Sequence, residues 1–364
     1  MKKFLALVLA LCMVFALCAV SASADDMAVA MITDYGDITD QSFNQTTYEA
    51  CKAYCEANGV DFQYYKPASD SDEDRITSIE KAIDDGYTVI VMPGYAFGPA
   101  IQEVAPENDD IIFVALDVSE SDIGDLASDM PANLYCAVYQ EELCGYMAGY
   151  ATVKLGYTKL GFLGGMAVPA VIRYGYGFVQ GADAAAAELG LSDVSINYVY
   201  GNQFYGDSDI TAYMDTWYAN GTEIVFACGG GIYTSAGEAA SKVGGKVIGV
   251  DVDQAATIDG LYGEGITVTS AMKGLAATVN SSLTAIADGS FEGGKVDNLG
   301  LVSDVPAENY VQIAGSTQFA DSFTEADYEA LVVAMNAGEI TVSNDIAAEP
   351  AVSAVTVDYQ GNIK

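Results

Sequence analysis

The chain contains no histidine in its 364 residues. Histidine is the most frequent general base near neutral pH and a frequent metal ligand, so the usual Ser-His and Cys-His nucleophile pairs are excluded. No serine stands in a Gly-x-Ser-x-Gly nucleophile elbow either. An enzyme built from this sequence would have to rely on carboxylates alone. We therefore expect a protein that catalyses nothing and holds no metal or cofactor.

Basic residues are scarce. The chain has 14 lysines and arginines against 51 aspartates and glutamates, which gives a net charge of -37. Such a field repels nucleic acid and anionic membrane surfaces. It also disfavours phosphorylated ligands unless a local cationic pocket compensates. We expect no nucleic-acid partner and an uncharged small-molecule ligand.

The N-terminus has the pattern of a secretory signal peptide. Lys2 and Lys3 precede the apolar run Phe4–Val20, and small residues at 21–24 supply a cleavage site. We interpret residues 1–24 as a signal peptide and expect an extracytoplasmic protein, either associated with the cell surface or secreted. Cys18 follows a leucine, which is bulkier than a lipoprotein box prefers. The question of a lipid anchor stays open.

Five cysteines remain after this segment, an odd number without metal-type spacing, which argues against a disulfide framework. Cys136 and Cys144 lie close in sequence across a predicted crossover between domains. Whether they form a bridge stays open.

Short apolar runs alternate with longer helical patterns along the rest of the chain. Strands are predicted at 27–33, 60–65, 88–92, 111–116, 134–138, 159–163, 195–200, 223–227, 246–250, 265–269 and 298–301. Helices are predicted at 42–58, 72–85, 97–105, 140–155, 168–190, 207–220, 232–242, 272–288 and 324–337. Apolar strands separated by helices indicate parallel sheets covered on both faces.

The length and the two successive series of strand-helix units indicate two domains. The fold class is α/β, with two doubly wound parallel-sheet lobes joined by a hinge of several crossovers. We expect residues 25–139 plus about 260–297 to form the N-terminal lobe. Residues 140–259 plus about 298–364 are expected to form the C-terminal lobe.

Polar and glycine residues follow nearly every predicted strand. In open parallel sheets, ligands bind at the carboxyl ends of the strands, so these residues predict a cleft between the lobes. They are Asp34, Pro93-Gly94, Asp117, Gly164-Gly165, Gly229-Gly230-Gly231 and Asp251.

The segment 32–45, ITDYGDITDQSFNQ, is the most informative. A strand ends at Asp34, and Ser42 is predicted to cap the next helix. Phe43 beside the amide of Asn44 offers a stacking face and a donor-acceptor edge, which suits a planar heteroaromatic ligand. The alternative is that Phe43 packs at the helix base and Asn44 serves as a cap.

With this segment and four later blocks, the sequence resembles the basic membrane lipoprotein family, the purine-nucleoside-binding proteins of bacterial ABC transporters. The later blocks are Gly161–Gly165 with Pro169, Tyr200–Phe204 ahead of Asp207, Ile248–Gln254, and Thr269–Lys273. The resemblance covers roughly residues 27–290. It implies the type 1 periplasmic-binding-protein fold, a monomer, and a membrane permease as partner.

The resemblance also implies a set of ligand-binding residues. Phe43 and Phe204 would stack on the two faces of a purine, and Asn44 and Asp117 would bind its edge. Asp251 and Lys273 would hold the ribose hydroxyls. Asp34 and Gly231 would line the same cleft. Ligand contacts on both lobes would favour the closed state.

Two other functions stay open. The scaffold also suits a sugar or another small polar solute, bound for transport or for sensing. A nucleoside hydrolase acting through Asp34 or Asp251 is the enzymatic alternative. The three glycines at 229–231 could cradle a phosphate, but they lack the Gly-Lys-Ser/Thr ending of a P-loop, and close backbone approach is the favoured interpretation.

Overall fold

The computed structural model describes residues 27–34 and 36–364. The predicted signal peptide lies outside the described residues. In the described part of the chain, no helix has the length and apolar character needed to cross a bilayer.

Strands and helices alternate along the chain. In order they are β1 Ala28–Ile32, α1 Phe43–Asn58, β2 Asp61–Tyr65, α2 Asp72–Asp84, β3 Val89–Pro93, α3 Gly98–Val104, β4 Ile112–Leu116, β5 Leu134–Tyr139, α4 Glu141–Lys154, β6 Lys159–Gly164, α5 Pro169–Leu189, β7 Val194–Tyr200, α6 Ser208–Ala219, β8 Ile224–Cys228, α7 Tyr233–Val243, β9 Lys246–Asp251, α8 Ala255–Tyr262, β10 Thr267–Lys273, α9 Leu275–Asp288, β11 Lys295–Leu299, β12 Val311–Ile313, α10 Glu325–Asn336 and β13 Val355–Asn362.

Two sheets organise these elements into two lobes. The first sheet has the strand order β11-β5-β4-β3-β1-β2 and is parallel throughout. The second has the order β12-β10-β9-β8-β6-β7-β13, in which β12 alone pairs antiparallel with its neighbour. Central strands such as β3 and β4 are buried at every residue, which explains their continuous Val, Ile and Phe content. The predicted fold class of two doubly wound α/β lobes is confirmed.

The chain crosses between the two sheets near residues 140, 274 and 300, and hydrogen bonds tie the crossovers together. The Gln140 N–H donates to the Leu299 carbonyl at 2.9 Å, and the Gly274 N–H donates to the Tyr310 carbonyl at 2.7 Å. The three crossovers therefore form a connected hinge.

The position of β10 differs from the predicted lobe boundary, which placed residues 260–297 in the first lobe. This strand pairs with β9 and β12 of the second sheet, and only the following helix α9 and strand β11 return to the first lobe. The predicted strand 265–269 also proves too short, because β10 continues to Lys273. As a result, Lys273 stands at a strand end rather than on a helix.

Helices α4 and α5 pack at backbone distance through glycines in both. Gly145 and Gly149 on α4 meet the carbonyls of Tyr174 and Phe178, while Gly177 on α5 meets the carbonyl of Glu142. A side-chain carbon at any of these glycines would overlap the facing backbone. The two helices therefore form a rigid pair beside the hinge.

The cysteines make no bridge in the described part of the chain. Cys136 and Cys144 are both free and buried, as are Cys51, Cys55 and Cys228. Burial raises the pKa of the Cys136 thiol to about 12. These residues act as small apolar core residues.

Candidate binding site between the lobes

A cavity of about 550 Å³ lies between the two lobes. All eight residues that the sequence analysis predicts to bind the ligand line this cavity. The first lobe contributes Asp34, Phe43, Asn44 and Asp117, and the second contributes Phe204, Gly231, Asp251 and Lys273. The carboxyl ends of strands from both sheets therefore face one another across the cavity, as the topology requires.

The loop after β1 supplies the first-lobe wall. Asp34 is buried, and its carboxylate accepts the Gly36 N–H at 2.6 Å. Phe43 begins α1 and lies under the Lys273 ammonium, which is 4.9 Å from the ring centroid. Asn44 is 4% exposed, and its side-chain oxygen accepts no hydrogen bond from the described residues.

The cap of α1 differs from the prediction. Ser42 makes no side-chain cap; its hydroxyl crosses the cleft and donates to Asp251 at 2.5 Å. Asp40 replaces it, since its carboxylate accepts the N–H groups of Ser42, Asn44 and Gln45 at 2.9, 2.9 and 3.1 Å. Burial raises the pKa of Asp40 to about 6 against the opposing effect of these donors. Anionic caps are favourable at a helix N-terminus.

Lys273 is the centre of a buried charge cluster. Its ammonium donates to Asp117, lies 3.3 Å from Glu141 and lies 3.8 Å from Asp251. Glu141 is fully buried and also accepts the Arg173 Nε–H at 2.6 Å. Burial lowers the pKa of Lys273, but the three carboxylates outweigh it and raise that pKa above its usual value. Lys273 is therefore a fixed cation shared by both lobes and the hinge.

The two cleft aspartates of this cluster stand on unusual backbone. Asp117 and Asp251 have positive φ values of 58° and 66°, a conformation that costs most residues energy and is concentrated at functional sites. Burial raises the pKa of Asp117 to about 6, opposed by the charge of Lys273 and reinforced by that of Glu141. Burial likewise raises the pKa of Asp251, with Lys273 opposing.

Phe204, the aromatic residue from the second lobe, packs directly against glycines. A side-chain carbon at Gly229 would lie 2.9 Å from the Phe204 ring, and one at Gly165 would overlap it. The Gly231 N–H donates to the Phe204 carbonyl at 2.8 Å. These glycines thus serve close backbone approach, and the Gly231 N–H is already engaged rather than offered to a phosphate.

Direct hydrogen bonds join the lobes along one side of the cleft. Besides the Ser42–Asp251 bond, the Gln254 amide donates to the Gln41 carbonyl at 3.0 Å, and the Thr257 hydroxyl donates to the Gln41 side chain at 3.2 Å. The described conformation is therefore one in which the lobes are in contact.

Sequence reasoning missed several residues of the cavity wall. The sequence patterns assign no site role to Asp40, Arg173 or Tyr174, and all three line the cavity. The scarcity of basic residues is a signal that points to Arg173. Among the residues that the structure describes, seven aspartates face the cavity against one lysine and one arginine: Asp34, Asp37, Asp40, Asp70, Asp117, Asp122 and Asp251. This excess favours a neutral ligand over an anionic one.

Two α/β lobes enclosing a polar and aromatic cavity at a three-segment hinge define a solute-binding protein. Residues 27–318 match the family described as Bmp, ABC transporter substrate-binding protein PnrA-like. The chain belongs to this family. Its members are the substrate-binding proteins of ABC transporters, which confirms the family resemblance seen in the sequence.

Relatives are similar over most of their length. The ABC transporter nucleoside-binding protein BmpA of Lactococcus lactis is 27% identical over 74% of this chain and 78% of its own. Basic membrane protein A of Borreliella burgdorferi is 28% identical over 84% of this chain and 86% of its own.

Among solved structures, an ABC transporter solute-binding protein from Conexibacter woesei has a TM-score of 0.67 at 24% identity, covering 87% of this chain and 99% of that one. A periplasmic binding protein/LacI transcriptional regulator from Alkaliphilus metalliredigens has a TM-score of 0.54 at 14% identity, covering 79% of this chain and 97% of that one. These likenesses establish the type 1 periplasmic-binding-protein fold.

Proposed function

We propose that this protein binds a purine nucleoside between its lobes and delivers it to the permease of an ABC importer. The observation that carries the proposal is the cavity of about 550 Å³, whose wall holds Phe43 and Phe204 together with an excess of aspartates. Ligand pockets for small molecules begin at about 300 Å³, so a nucleoside fits. The nucleoside-binding name of the Lactococcus relative supports the same ligand class.

In this proposal each lobe supplies one aromatic ring and one polar edge. Phe43 and Phe204 stack on the base, Asn44 and Asp117 bind its edge, and Asp251 accepts hydrogen bonds from the ribose hydroxyls. Asp34 and Gly231 complete the wall. Lys273 has its ammonium engaged by Asp117 and Glu141, so it acts on the ribose chiefly by holding Asp251 ionised.

Isothermal titration of the purified protein, freed of copurified ligand, tests the proposal. The ligands are guanosine, inosine, adenosine, free bases, ribose, galactose and nucleoside monophosphates. We expect nucleosides to bind at micromolar concentrations or below and nucleotides to be excluded by the acidic cavity. Binding of a sugar alone would replace the nucleoside with the alternative solute class, and binding of no compound would refute both.

The stacking role has its own test. Phe43→Ala is expected to weaken nucleoside binding about 5- to 150-fold, the equivalent of about 1–3 kcal/mol for a base-aromatic stack. Phe62→Ala is the matched control, because Phe62 packs against Tyr48 outside the cavity. Equal affinities in the two variants would remove Phe43 from the site.

We also propose that the protein is exported and acts outside the cytoplasmic membrane. The charged and apolar pattern of residues 1–24 and the family membership support this. Mass spectrometry of the protein isolated from a bacterial host tests it. A mature N-terminus at Asp25 indicates cleavage without lipid, whereas a diacylglyceryl adduct on Cys18 would establish the anchor.

A further inference from the structure

The side-chain amide of Asn44, which lines the cavity, is held in one orientation. Its Nδ2 donates to the Asp40 carboxylate at 3.3 Å, and its backbone N–H donates to the same group at 2.9 Å. An ionised carboxylate only accepts hydrogen bonds. The amide must therefore turn its NH₂ group, and not its oxygen, toward Asp40.

Asp40 is itself held in place. Besides Asn44, the N–H groups of Ser42 and Gln45 donate to it, so three backbone donors fix the carboxylate at the start of α1. Gly36 lies against the same NH₂ group, because a side-chain carbon at Gly36 would overlap Asn44 Nδ2. The loop thus closes around the NH₂ end of the Asn44 side chain.

Two of the residues that line the cavity have an acceptor atom without a donor. These atoms are Oδ1 of Asn44 and Oδ1 of Asp117, both buried and without a hydrogen-bond partner among the described residues. A buried acceptor left unpaired costs free energy. A ligand that brings N–H groups to these atoms would recover it.

We infer that Asp40 is a positioning residue that sets the base preference of the site, because it commits the Asn44 amide to accepting and thereby selects bases that carry N–H donors. This inference rests on the proposed function. The base edge of guanosine carries two adjacent donor groups, N1–H and the 2-amino group, that of inosine carries one, and purine riboside carries none. The expected order of affinity is guanosine, then inosine, then purine riboside.

Titration with these three nucleosides is the experiment. The wild-type protein is expected to prefer guanosine over purine riboside by about 10- to 100-fold, the range for one or two hydrogen bonds in a buried site. In Asp40→Asn the neighbouring amide can accept or donate, so Asn44 is free to turn over. The preference should then fall by about tenfold, and Asp117, which stays an acceptor, accounts for the part that remains.

The exchange variant Asp40→Asn/Asn44→Asp supplies the rescue. Residue 44 then carries an acceptor-only carboxylate, residue 40 donates to it, and the net charge is unchanged. The guanosine preference should return. If Asp40 served only as a helix cap, the results would differ. Asp40→Asn would then lower the melting temperature and weaken the binding of all three nucleosides equally, and the exchange variant would not restore the guanosine preference. That result would overturn the inference.

A second variant, Gly36→Ala, perturbs the Asn44 amide and leaves the capping residue Asp40 unchanged. It should displace the amide and reduce the guanosine preference as Asp40→Asn does. Gly260→Ala is its control, because a side-chain carbon there meets nothing within 4 Å, and its preference should match the wild type. An unchanged preference in Gly36→Ala would contradict the inference. A wild-type protein that binds none of the three nucleosides would instead refute the proposed function.

Discussion

Replacement of Lys273 by methionine tests the charge cluster most directly. The change keeps the length of the side chain but leaves Asp117, Glu141 and Asp251 with Arg173 as the remaining cation of the cluster. Removing one partner of a buried ion pair costs about 3–5 kcal/mol, because the other charge stays buried and uncompensated. Since Lys273 serves three carboxylates, we expect a loss of that size in the free energy of unfolding at pH 7.5.

The pH dependence of this loss follows from the carboxylate pKa values. The pKa of Asp117 is already raised to about 6, and it rises further without the lysine. A raised folded-state pKa means that the folded protein binds protons more readily than the unfolded chain, so stability is regained as the pH falls. The deficit of Lys273→Met should therefore shrink between pH 7.5 and pH 5.5.

Urea denaturation at both pH values measures this. The control is Lys242→Met, which breaks an exposed pair with Asp215 at 2.9 Å and should cost less than about 1 kcal/mol. If Lys273→Met were as stable as the control, or if its deficit stayed constant with pH, the argument for a buried cluster that depends on one cation would be refuted.

Three further predictions concern the hinge and its neighbours. Burial raises the pKa of Glu142 to about 7 and leaves one of its oxygens without a partner among the described residues. Glu142→Gln should therefore be more stable than the wild type by about 1–3 kcal/mol at pH 8. Thermal unfolding at lower pH should show this gain vanishing toward pH 5. Gly177→Ala should destabilise by about 1–3 kcal/mol or more, because the new methyl group overlaps the Glu142 backbone; a melting temperature equal to the wild type would contradict the packing. Ser42→Ala removes a hydrogen bond to Asp251, and small-angle scattering should show a larger radius of gyration for the unliganded variant; an unchanged radius would mean that this bond does not hold the lobes together.

Much of the site could be predicted because its residues follow strands. In parallel sheets the carboxyl ends of strands share one edge, so Asp34, Asp117 and Asp251 could be grouped from sequence alone. The glycines at 229–231 could likewise be assigned to close approach. In the structure the Phe204 ring lies against Gly229, and its backbone carbonyl lies against Gly230 and Gly231.

Other features depend on contacts between segments distant in sequence. Glu141 and Arg173 lie on different helices, and their link to Lys273 arises only when α4, α5 and β10 meet at the hinge. The helix α8 is short and contains Gly260, so its periodic signal is weak. Strand β13 pairs with β7 across more than 150 residues of sequence, which no local pattern indicates.

The cap of α1 shows a competition that sequence rules alone did not resolve. Serine is a preferred N-cap residue, and Ser42 stands at that position. However, Asp40 reaches the same N–H groups with a charged acceptor, which binds them more strongly than a hydroxyl. Ser42 is thereby released to bond across the cleft, a contact that depends on the closed arrangement of the lobes.

The glycine-packed pair of helices α4 and α5 has a consequence for mutational surveys of this protein. A side-chain carbon at Gly181 would likewise overlap the backbone of α4, at the Tyr146 carbonyl. A deep mutational scan selected on solute uptake would be expected to deplete substitutions at Gly145, Gly149, Gly177 and Gly181 as strongly as those at Phe43 and Phe204 in the cavity wall. None of the four lines the cavity. Intolerance alone would therefore misassign them to the binding site, and only a parallel selection on protein abundance would separate the two groups.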